Sequence, residues 1–506
     1  MTAGASRARR LFDGWSANLV QVVLGITQQV ALVPVFLHFW SGEVLAGWLV
    51  LYAASNLASI ADAGLIVRAI NRFLSFRSSA DCNGRSAAFY AGMLRIYLTL
   101  SAVLVVLMLL GAALWPPSAT LGFAKLPHFD AAFVAMVGGT FLVLPAGLTS
   151  SLYRARGLYG RAVRLQNWSM LIGQAGQLAA IVLTGSLLAV ALVYVAAQLL
   201  AVIWLMAIDA PRQFPYLKRG IGRLSWRWSA GQFVRAAPFA VASVTEIALV
   251  NLPVLLVSAF VSDRIAVAQW GLTRVAAGLL RTLCIQASLP LAAELGADHS
   301  LGEKERLRHL YARGSVLVTL LASIAVSALL PFWQDFFALW THGEIPYNPA
   351  LTYVLLIGAG IVAPSLLALG FANYSNRGEL LARTKGLQLA LFLVLSLLLI
   401  PQMGPLGAAL AVAASDLLVQ MGLLGVTILR QTLRRPLAHL TYLAVLMTVV
   451  MLGGWGLGAA IRAFMPGNNL FWFVVECALW LVAVAVLATP LAGARLRDRL
   501  SDTIPR

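Results

Sequence analysis

Eight ionisable side chains stand inside stretches that otherwise hold almost no charge: Arg68, Arg95, Arg274 and Arg281, with Asp62, Glu246, Asp416 and Glu476. Placing each in an apolar medium costs roughly 2.5–3.5 kcal/mol, so each must pair internally or reach water. Guanidinium offers a planar fork of donors that matches phosphate oxygens. Arg274 and Arg281 are two turns apart on one helix face, with Trp270 and Ser288 on the same stripe. Arg95, Arg274 and Arg281 are therefore the expected contacts of a phosphate-bearing ligand. Arg68 is nearer a helix end, where snorkelling to the surface competes with that role. The four cations match the four anions in number, and interhelical ion pairing accounts for them equally well at this stage.

Uncharged polar residues add to the set. Tyr52, Ser55, Asn56, Ser59 and Asp62 fall on one face of one helix, and Asn167, Gln174 and Gln177 on one face of another. With Trp270 they are expected to line a wet cavity and meet a glycan, which takes amide and hydroxyl partners and an aromatic face. Interhelical hydrogen bonding is the competing use. Glu246 and Asp416, with Asp62, are candidates for ion coupling or for pairing with an arginine.

Composition fixes where these residues live. The 506-residue chain is 60% hydrophobic and only 11% charged, less than half the roughly 25% charged residues of a soluble domain. A spanning helix takes about 20 apolar residues. Fourteen such runs are predicted, at 15–39, 45–73, 87–114, 131–152, 165–184, 186–208, 234–261, 265–291, 316–336, 349–372, 382–400, 406–428, 437–460 and 470–490. None alternates like a membrane β-strand, which leaves an all-α polytopic membrane protein of about 14 transmembrane helices.

The net charge of +18 raises the question of nucleic acid, and its distribution answers it. Thirty of the 37 lysines and arginines fall in alternate short connections or at the termini, whereas the intervening loops hold only Lys125, Arg264 and Arg462. That asymmetry predicts both termini in the cytoplasm and no nucleic-acid partner. The first span is too long for a signal peptide and is expected to stay as an anchor. Cys82, Cys284 and Cys477 are too scattered for a disulfide framework or a metal site. Phosphate-loop, zinc-protease and serine-hydrolase motifs are absent, so no cofactor, metal or catalytic role is expected.

The chain also repeats itself. Tyr153, Arg156 and Gly157 recur as Tyr374, Arg377 and Gly378, and Ala46 and Trp48 as Ala268 and Trp270. Pro34 matches Pro253, and Gly185 matches Gly404, all within three residues of one offset. Two parallel-related six-helix bundles follow, over 1–208 and 234–430, with a central cavity between them. A basic amphipathic segment at 209–233 links them, and 431–506 adds a helix pair and a basic tail.

The first two spans resemble the multidrug/oligosaccharidyl-lipid/polysaccharide (MOP) exporter superfamily, and within it the Wzx-type polysaccharide flippases. The resemblance rests on Pro34, Phe36-Leu37-His38-Phe39, Gly42, Ala46-Gly47-Trp48-Leu49, residues 57–65 and Ala69-Ile70-Asn71-Arg72. It implies alternating-access transfer of an undecaprenyl-diphosphate-linked oligosaccharide from the cytoplasmic to the outer leaflet of a bacterial inner membrane. It further implies polysaccharide polymerase and chain-length machinery as partners. A cation-coupled drug exporter of the same superfamily is the first rival. Its substrates favour acidic residues in the first half, and the first span here has none after Asp13. A membrane glycosyltransferase or polymerase is the second, and the short loops argue against it.

Overall fold

Hydrocarbon leaves a backbone no hydrogen-bond partner but itself, and the described residues are helices joined by short turns, without a strand. The structure, a computed structural model, describes residues 7–76, 84–219, 226–375, 377–465 and 469–492. Arg77, Cys82, Ile221, Arg223, Leu224 and the tail cations Arg495, Arg497, Arg499 and Arg506 lie outside the described residues.

Twelve helices among the described residues are long and apolar enough to cross a membrane, from Ser16–Phe39 and Gly42–Asp62 to Pro436–Phe464 and Leu470–Leu487. The expected tenth span is two helices, Pro349–Val362 and Pro364–Tyr374, meeting at a bend of 48°. Pro364 supplies no N–H to the preceding turn, and the helix breaks there. The expected fifth span is a 26-residue helix, Tyr159–Thr184. It is not among the twelve because Arg161, Arg164, Asn167, Gln174 and Gln177 dilute its apolar content. Each of the fourteen runs thus has a helical counterpart, and the protein is an all-helical, multi-pass membrane protein.

Local chemistry shapes two of the spans that matter below. The first widens into a π turn at Thr27–Ala31 just before Pro34, which relieves the clash between the proline ring and the preceding turn. The second, expected over 45–73 as a tilted or kinked span, is broken. It narrows to a 3₁₀ turn at Ser59–Asp62, passes through left-handed Ala63 (φ 47°) and Gly64 (φ 73°), and restarts as Leu65–Ser75. The Asp62 carboxylate caps the new helix by accepting the Ile66 N–H at 3.2 Å.

By contacts the chain forms two compact units, Met1–Arg264 and Ile265–Arg506. In the first unit, Tyr159–Thr184 packs against the first and sixth spans, and the helix Trp226–Phe260 packs on the second span and its extension. Arg264 fastens the arginine-poor end, donating to the carbonyls of Leu121 (3.0 Å) and Ser258 (2.7 Å) over the Phe123 ring. In the second unit, the added pair leans on the ninth span, Lys304–Leu329. His439 meets Ser315 at 2.8 Å, and Arg462 pairs with Asp335 at 2.8 Å while donating to the Pro331 carbonyl.

The duplicated glycines occupy matching turns. Gly185 (φ 60°) joins the fifth and sixth spans, and Gly404 (φ 57°) joins the eleventh and twelfth; a left-handed backbone favours glycine at both. Just beyond, the chain doubles back so tightly that a Cβ at Gly407 would lie 2.3 Å from the Leu399 carbonyl oxygen. Gly407→Ala should therefore cost about 1–3 kcal/mol and lower the melting temperature in detergent. Gly111→Ala, whose added methyl meets nothing within 4 Å, is the control. Equal melting of the two variants would contradict the close approach.

Candidate functional site

Within the second unit polar and charged side chains of four spans converge. Asp416 and Gln420 are four residues apart on the twelfth span, inside a ten-residue π segment, Asp416–Gly425. Wide turns of this kind recur at functional positions because they re-aim side chains without breaking the helix. Arg281, on the eighth span, donates to Asp416 Oδ2 at 3.1 Å and lies 3.5 Å from Gln420 Oε1. From the eleventh span, Gln388 Nε2 donates to Asp416 Oδ1 at 2.5 Å. Lys385, one turn earlier, donates to Gln388 Oε1 (2.9 Å) and Gln420 Oε1 (2.7 Å). Gln420 Nε2 closes the set on Ser365 Oγ at 3.0 Å, at the bend of the tenth span.

Burial grades these groups. Lys385 is 1% exposed and Asp416 7%, whereas the Arg281 side chain keeps 22% of its surface open. Two cations therefore stand about one carboxylate, Arg281 directly and Lys385 through Gln388, held together by amides that accept with one atom and donate with the other. With two cations and one carboxylate the set carries one positive charge in excess, and either cation alone would balance Asp416.

The first unit handles its charge differently. Asp62 accepts the Tyr97 hydroxyl on one oxygen and the Ile66 N–H on the other, so a tyrosine and a helix start satisfy it rather than an arginine. Arg68 is half-buried and feels the like charges of Arg235 and Arg72. Arg95 is exposed. Tyr52 belongs to an aromatic cluster with Trp48 and Tyr194, at centroid distances of 6.0–6.3 Å. Ser55 turns to the fourth span, meeting Thr140 Oγ1 at 2.6 Å, and Ser59 bonds to the Asn56 carbonyl of its own helix.

The three fifth-span amides expected to face a glycan are engaged with the first span. Asn167 donates to the Ala17 carbonyl (2.8 Å), Gln174 to the Leu24 carbonyl (2.8 Å), and Gln177 accepts from Gln28 (3.1 Å), which stands in the π turn before Pro34. All three are buried; a polar stripe on one helix has become the seam to another. Trp270 is likewise buried, with no acceptor for its indole N–H. Ser288 bonds to the Cys284 carbonyl, and Arg274 and Glu246 are half-buried. Glu476 is buried near the Asp335–Arg462 pair.

Reading the sequence missed Lys385, Gln388, Gln420 and Tyr97. Lys385 lies just after Arg377 and Arg383 and was counted with the surface cations. The usable signal was the one-turn spacing of Lys385 and Gln388, matched by that of Asp416 and Gln420.

No protein-family model matches the chain, and neither does any curated protein sequence. Solved structures do. The lipid II flippase MurJ, in an inward closed conformation, aligns with a TM-score of 0.71 at 10% identity, over 95% of this chain and 99% of that one. The chain therefore shares the fold of that protein. An inward-facing multidrug resistance MATE family transporter of the MOP superfamily gives 0.59 at 12% identity, over 84% of this chain and 98% of its own. The MATE transporter VcmN of Vibrio cholerae gives 0.51 at 16%, over 84% and 97%.

Two hydrogen bonds can be weighed directly. Gln177→Leu strands the Gln28 amide, and Tyr97→Phe removes a donor from a carboxylate. Costs of about 1–3 kcal/mol are expected for both, read as lowered melting temperatures. A wild-type melting temperature for Gln177→Leu would mean that this bond does not join the first and fifth spans.

Proposed function

We propose that the chain is a flippase for lipid-linked oligosaccharide. It moves an undecaprenyl-diphosphate-linked glycan from the cytoplasmic to the outer leaflet of a bacterial inner membrane by alternating access, for O-antigen, exopolysaccharide or capsule synthesis. Arg281 and Arg274, with Arg95 and Arg68, take the diphosphate. Tyr52, Asn56 and Ser59 take sugars. The isoprenoid chain stays in lipid, along a groove supplied by the added pair at 431–506. The duplicated parts are 1–208 and 234–430, joined by the basic segment 209–233, with both termini cytoplasmic. Polysaccharide polymerase and chain-length machinery are the proposed partners.

The observation that carries this reading is the excess of cation over anion at the twelfth span: Arg281 and Lys385 gathered about Asp416. A pocket for a cationic drug would set carboxylates in excess, since like charges in low dielectric repel strongly. A diphosphate supplies the missing negative charge. The MurJ likeness supports the choice in a second way, because it extends over 95% of the chain, whereas the two MATE likenesses given above cover 84%. MurJ is a lipid II flippase; by analogy the added helices serve a lipid-linked substrate here.

Arg274 and Arg281, replaced separately by Ala and by Lys, supply the test, with surface polysaccharide scored at equal expression. Loss of a charge-assisted phosphate contact should lower output roughly 10- to 100-fold for the Ala variants, with partial recovery for Lys. Wild-type output from both Ala variants would end the phosphate assignment. Deletion of the gene should trap lipid-linked oligosaccharide on the cytoplasmic face. Lost drug resistance with intact surface polysaccharide would favour the exporter instead.

A further inference from the structure

An arginine that binds a substrate phosphate cannot also neutralise a carboxylate at full strength. Arg281 faces that conflict, since it donates to Asp416 at 3.1 Å. If no other cation stood nearby, its departure would leave the charge of Asp416 without a countercharge in a membrane-spanning unit, and that penalty would hold Arg281 in place. The neighbouring groups remove the conflict. Gln388 already donates to the other oxygen of Asp416 at 2.5 Å, and Lys385 donates to Gln388 at 2.9 Å and to Gln420 at 2.7 Å.

We propose that Lys385 is the resident countercharge of Asp416, a positioning residue that frees Arg281 to transfer from Asp416 to a substrate phosphate. The inference rests on the flippase reading and adds to it a residue that touches no substrate. Exposure supports the division of labour: Lys385 is sealed at 1%, while the Arg281 side chain keeps an open side at 22%. Geometry supports it too. Gln420 accepts from Lys385 and lies within reach of Arg281, and it stands one turn from Asp416 in the π segment. The ammonium thus reaches the carboxylate through Gln388 and shares the Gln420 oxygen with the guanidinium. When Arg281 turns to the ligand, the remaining Lys385–Asp416 set is neutral. When the ligand leaves, Arg281 has a carboxylate to return to. A cation placed there only to hold helices together would not need to share an acceptor with a second, more exposed cation.

The experiment uses full-length protein in nanodiscs with undecaprenyl diphosphate as the probe. Lys385→Met should pin Arg281 to Asp416 and weaken binding about tenfold, the scale of one charge-assisted contact. Asp416→Asn alone should bind at least as well as wild type. The double variant Lys385→Met/Asp416→Asn should recover most of the loss, because a neutral amide no longer captures Arg281; Lys385→Arg should stay close to wild type. Wild-type affinity for Lys385→Met, or a double variant no tighter than Lys385→Met, would overturn the proposal.

A second readout does not depend on the substrate. Phenylglyoxal modification of Arg281, followed by peptide mass spectrometry, should rise in Asp416→Asn and fall in Lys385→Met relative to wild type. Unchanged labelling in both would also overturn the proposal, even if Lys385→Met fails to bind through misfolding. Absence of undecaprenyl diphosphate binding by wild type, together with the expected labelling pattern, would sink the flippase reading and leave the countercharge in place.

Discussion

A carboxylate in hydrocarbon must be answered by a cation, by several donors, or by a proton, and much of this molecule is arranged around that requirement. Asp416 is met by a guanidinium and an amide, Asp62 by a phenol and a helix start, and Asp335 by Arg462. Each solution draws at least one partner from another helix. The helices are therefore not interchangeable cylinders: the positions of a few charges decide which helix can lie beside which. Apolar packing fills the space between, as in the core around Phe73, Tyr97, Leu148 and Tyr153 in one unit and Leu367, Phe371 and Ile428 in the other.

The backbone departures serve the same requirement. The π turn at Thr27–Ala31 sets Gln28 toward Gln177, and the one beginning at Asp416 sets Asp416 and Gln420 toward the eighth and eleventh spans. The break after Asp62 supplies the free N–H that the carboxylate takes. Irregular backbone inside a membrane survives only where something answers its unsatisfied groups, and at the break after Asp62 the carboxylate does so.

The spans were legible in the amino-acid sequence because hydrophobic run length is a one-dimensional property. Runs such as 87–114 and 437–460 reappear within Arg85–Leu114 and Pro436–Phe464. The fifth span was also recognised, although its helix is the least apolar of the set. What could not be read was facing. Asn167, Gln174 and Gln177 share a stripe whether that stripe meets water or another helix, and only the carbonyls of Ala17 and Leu24 across the gap decide. Lys385 eluded the reading for a related reason. Its helix begins at Gly378, before the apolar run at 382, so a cation near the run's edge looked like a surface cation. The pairing of Arg281 with Asp416 was open to anticipation, since both were singled out, but charge counting does not say which cation meets which anion.

The arginine-poor ends carry a last consequence. Arg264 is bound to two carbonyls and lies over an aromatic ring, and Arg462 is bound to a carbonyl and a carboxylate. Each of these cations is therefore already committed as a fastener. An anion reaching either one must first displace a protein acceptor, so neither offers a ready electrostatic hold.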